Sequence, residues 1–66
     1  MKHSPVEIAA LLARLADVNT CLQVLHQENI IKQEMIVKGC KKFVNDHPQI
    51  NEYLGQTGKS MIGEAK

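Results

Sequence analysis

Apolar residues in the first half of the chain recur at the spacing of a coiled-coil seam. With Ile8 at position a, that row reads Ile8, Leu15, Leu22, Asn29, Ile36 and Phe43. The d row reads Leu11, Val18 and Leu25 before it passes to Lys32, Gly39 and Asp46. Large apolar side chains fill every a and d position from 8 to 25, and Leu12 widens the stripe. Such a run predicts a coiled-coil seam or the inner face of a tightly packed bundle. Beyond residue 26 the frame fails at d. Ile36, Cys40, Phe43 and Val44 then share a face at i, i+4, i+7 and i+8, while Ile30, Ile31 and Met35 lie partly off it. A drift of this kind marks either a wider buried surface, as in a four-helix arrangement, or a change of direction.

The punctuation sets the element boundaries. Ser4-Pro5-Val6-Glu7 opens a helix: Ser accepts from a free backbone N–H, proline fits the first helical position, and Glu7 can close a capping box. No Gly or Pro follows until Gly39, and the Asn45-Asp46-His47-Pro48 run is the next hard stop. The favoured expectation is one long amphipathic helix over 5–45, kinked at most, with a helical hairpin turning near 27–29 as the alternative. Asn29 has two readings of equal weight. At a buried a position it would pair with its own copy and fix register; in a hairpin it would cap or turn the chain. Pro48 opens a short second helix over 48–54, which Gly55 and Gly58 end. Residues 56–66 offer only Met61 and Ile62 for burial and are expected to form a flexible, removable tail. The fold class is therefore all-α, a single helical domain over 1–55, assembling as a coiled-coil-like dimer or helical bundle.

Size sharpens that expectation. A chain of 66 residues and 7.4 kDa builds one small core, and such domains commonly need a disulfide, a metal or a partner subunit. Two cysteines, Cys21 and Cys40, are no disulfide framework and suggest free thiols in a reducing, cytoplasmic setting. Residues 1–16 do not read as a signal peptide, because Glu7 and Arg14 interrupt the apolar run. No membrane-spanning stretch is expected. The stripe needs more cover than the second half offers, so a second copy is expected to supply it. Ile8, Leu11, Leu12, Leu15, Val18, Leu22, Leu25, Asn29, Ile36 and Phe43 would form that oligomer interface.

Candidate chemistry is sparse. Cys21 and His26, five apart, fall on different helix faces, and Cys40 and His47 are seven apart with His47 inside the stop that Pro48 closes. Neither pair has a metal-ligand spacing, so no metal site is expected. The sequence has no glycine-rich phosphate loop, nucleophile elbow or paired-carboxylate arrangement, so neither catalysis, a cofactor nor a small-molecule substrate is expected. A net charge of +1 gives no polyelectrolyte character. The single charge cluster is Lys32, Lys38, Lys41 and Lys42, which could meet an acidic protein or phosphates. Without arginine there, sequence-specific DNA reading is disfavoured. The expected function is a small non-enzymatic protein–protein interaction module (inhibitor, adaptor or assembly factor) acting as a homo-oligomer. Tyr53 and the lysines would be free to meet a partner. The alternative is a helical nucleic-acid accessory protein that places the lysines on phosphates.

Overall fold

The computed structural model describes residues 4–64 and is all-helical over them. Helix α1 runs Pro5–Gln27 and α2 runs Gln33–Asp46; a 3-10 helix, Pro48–Tyr53, leads into α3, Gly55–Met61. At the start of α1 the Ser4 hydroxyl accepts from the Glu7 N–H at 3.2 Å, with Pro5 at the first helical position. This is the cap expected from the four-residue signal.

The continuous helix over 5–45 does not form. α1 ends in a Schellman motif, the six-residue C-cap in which one residue turns left-handed and two N–H groups bond back to the last carbonyls. Asn29 is that residue, at φ 62°. Its N–H donates to the His26 carbonyl at 3.0 Å, and the Ile30 N–H donates to the Leu25 carbonyl at 2.9 Å. Asn tolerates the left-handed region better than any residue except Gly. The adjacent β-branched Ile30 and Ile31 lose rotamer freedom in a helix and gain from leaving it. His26 then pins the returning chain through its Nδ1–H, which donates to the Ile31 carbonyl at 3.2 Å. Asn29 is thus an exposed turn residue and not a buried register-setting one.

The two long helices fold back on each other as a hairpin. Ile8, Leu11 and Leu15 of α1 meet Ile36, Cys40 and Val44 of α2, and Ile50, Leu54 and Ile62 close the core. Leu15, Cys40 and Ile50 are fully buried. No polar side chain is buried among the described residues, so the core is held by apolar burial alone. The helices approach closely where Gly39 faces Leu22: a Cβ there would lie 2.5 Å from Leu22 Cδ1.

The expected flexible tail is instead folded from 56 through 64. Gly55 does not end the chain's order but redirects it, at φ 63°, from the 3-10 helix into α3. Gly63 closes α3 with a second Schellman motif, its N–H donating to Ser60 and that of Glu64 to Lys59. Between the two glycines Ile62 plugs the core at 2% exposure. The helical unit therefore extends to residue 64, and residues 65–66 of the expected tail lie outside the described residues.

The molecule is elongated. It measures 41 × 23 × 17 Å with a radius of gyration of 12.2 Å, against about 10.8 Å for a compact domain of this length. Its accessible surface of 4966 Å² exceeds the roughly 4200 Å² usual for a monomer of this mass.

Candidate interaction surfaces

The residues that the heptad reading assigned to an oligomer interface divide into groups. Ile8, Leu11, Leu15 and Ile36 lie in the chain's own core, and Leu12, Val18, Leu22 and Phe43 pack half-buried against it. Leu25 is half-buried and Asn29 exposed. One chain thus covers its own stripe. The extra cover comes from Ile50 and Ile62, which belong to a 3-10 helix and a helix end and carry no periodic signal in the sequence.

The opposite face of α1 is left open. At 100° per residue, Val6, Ala9, Ala10, Ala13, Ala16, Asp17, Thr20, Cys21 and Val24 share the side away from the core, and all nine are exposed. Val6 is 78% and Val24 50% exposed. Asp17 is the only charge among them, with Arg14 at the edge. A surface helix ordinarily presents a charged outer face, and this one does not. By length and composition α1 is in fact apolar enough to cross a membrane, contrary to the expectation from sequence. Arg14 and Asp17 sit at its middle, where each costs about 2.5–3.5 kcal/mol in a spanning helix.

The lysines occupy a different side. Lys38, Lys41 and Lys42 face outward on α2, and Lys32 precedes that helix as its cap residue. Lys42 Nζ lies 3.6 Å from the Asp46 carboxylate, an exposed pair of small energetic weight. Tyr53 is 55% exposed on the 3-10 helix.

An open cleft of about 510 Å³ separates the C-terminal half of α1 from the start of α2 and from α3. Its walls carry the carboxamides of Asn19, Gln23, Gln33 and Gln56, above a floor that includes Val37 and Met61. Amides both donate and accept hydrogen bonds without titrating, so the cleft suits an uncharged polar group and supplies no acid, base or nucleophile. It was not legible in the sequence, because α3 builds one wall.

Among the described residues, no three His, Cys, Asp or Glu side chains gather as a metal site. Both thiols are free, Cys21 exposed and Cys40 buried. Burial pushes the Cys40 thiol above the ordinary cysteine range, and its Sγ–H donates to Asn19 Oδ1 at 3.8 Å. His47 stacks on Phe43 at 4.3 Å between ring centroids, and its Nδ1–H donates to the Phe43 carbonyl at 2.9 Å. The two bonded histidines are thus structural clasps, at the ends of α1 and α2. No known family, curated protein or solved structure matches the chain.

Proposed function

We propose that this chain is a small, non-enzymatic helical protein–protein interaction module that works as a homo-oligomer, in the manner of an inhibitor, adaptor or assembly factor. The observation that supports this is α1: a 23-residue helix of which only Ile8, Leu11 and Leu15 are buried. Its remaining apolar area is of the kind that soluble chains cover by association. The uncharged cleft beside α3 adds a polar surface for a second, non-identical partner. Two thiols and no disulfide suit a reducing, cytoplasmic setting.

The rival use of Lys32, Lys38, Lys41 and Lys42 on nucleic-acid phosphates has less behind it. Lys42 already leans on Asp46. A salt titration with duplex DNA separates the two: a steep logarithmic loss of binding supports phosphate contact. Sedimentation velocity tests the module directly. A dimer or larger species at micromolar concentration, with a melt that rises with concentration, is the expected result. A 7.4 kDa monomer with a concentration-independent melt overturns it.

A further inference from the structure

The outward face of α1 has its own partner chemistry. Resting on the homo-oligomer reading above, we infer that this face, and not the heptad stripe, binds a second copy of the same chain, with the two α1 helices antiparallel.

Area is the first argument. All nine outward residues, from Val6 at 78% exposure to Val24 at 50%, lie open along about five turns of helix, a continuous and largely apolar strip of the kind that soluble chains cover by association. Shape is the second. Ala9, Ala10, Ala13 and Ala16 fill the middle of the face and Val6 and Val24 its ends. Small side chains at the crossing let two helix axes come close, since interaxial distance follows side-chain size at the contact.

Charge sets the direction. In a parallel pair Asp17 would face its own copy across an apolar seam, which is costly for two carboxylates. An antiparallel pair with its two-fold axis near residues 15 and 16 places Val6 opposite the partner's Val24. The same axis sets Arg14 opposite the partner's Asp17. Both charges find opposite signs, the valines meet at each end, and the two helix dipoles oppose favourably. Cys21 then faces the partner's Ala9 and Ala10 rather than the partner's Cys21.

Equilibrium sedimentation of variants tests this. Ala13 is exposed, so Ala13→Glu should leave helical circular dichroism unchanged and abolish the dimer. Asp17→Arg should weaken dimerisation about tenfold through like charges, and Arg14→Asp with Asp17→Arg should restore it. A short bismaleimide should fail to link wild-type chains through Cys21 but should link Ala9→Cys chains through Cys21 of the partner. Cross-linking of the wild type through Cys21 overturns the antiparallel arrangement. A dimer that survives Ala13→Glu overturns the assigned face while the oligomer reading stands. A wild type that is monomeric overturns both, and one that leaves solution for neutral phosphatidylcholine vesicles assigns the face to lipid instead.

Discussion

The two cysteines are set apart by their surroundings alone. Cys40 is fully buried, and desolvation favours its neutral thiol; Cys21 stands in solvent. In the unfolded chain the Cys40 thiol ionises in the ordinary range, about 8.5. The folded state holds the Cys40 proton to higher pH, so its contribution to stability is complete below about pH 8.5 and is lost as pH rises through the folded value. Urea melts at pH 7 and pH 10 should show this fall, and Cys40→Ala should shrink it. A thiol reagent at neutral pH should label Cys21 promptly and Cys40 only as the chain opens. The glycines make a second contrast. At Gly58 a new Cβ would lie 2.8 Å from Leu54 Cβ, close to the backbone and unable to yield. Gly58→Ala is expected to cost about 1–3 kcal/mol, as overpacking does. At Gly39 the obstructing atom is the tip of Leu22, which can rotate, and the helix-propensity gain of about 1 kcal/mol offsets the shift. Gly39→Ala should therefore melt near the wild-type temperature.

At the scale of elements, helix ends decide this fold. Ser4-Pro5 and Pro48 announce theirs in sequence, because one caps with a hydroxyl and the other cannot continue a helix. Asn29 does not, since an asparagine serves equally in a seam and in a left-handed cap, and only the packing of α2 against α1 selects the second. Asn29→Ala should destabilise by about 1 kcal/mol, because Ala resists positive φ, while Asn29→Gly should be neutral or stabilising. Thermal melts of the two variants, at fixed chain concentration, distinguish a cap from a register residue: loss of a register residue would change oligomer size instead. The C-terminal helix was hidden for another reason. Gly55 and Gly58 read as stops, yet one redirects the chain and the other lets α3 settle onto Leu54. Truncation after Gly55 removes Ile62 from the core and should cost about 2 kcal/mol, a fall of about 10 °C in Tm for a domain this small.

For the whole molecule, the stripe on α1 was legible but its destination was not. A heptad pattern states that a face is buried, and says nothing of whether the cover is the chain's own second half or another copy. Leu22 shows the difference: it packs against Gly39 of the same chain, so Leu22→Asp would damage the monomer itself and report nothing about association. The candidate surfaces were less legible still. The open side of α1 is defined by what the core leaves over, and the amide cleft depends on the placement of α3. That placement also has a kinetic side. Gln56, Thr57, Ser60 and Met61 all line the cleft from the α3 wall, and Ile62, just past the end of α3, is seated in the core with Met61 packed beside it. A helix this short is expected to open as its own unit, its amide protons exchanging before those of α1 and α2. The cleft therefore has a lifetime. It exists while the latch is seated and vanishes each time Ile62 leaves its socket, so an occupant would be read out first as slowed hydrogen exchange across Gly55–Met61.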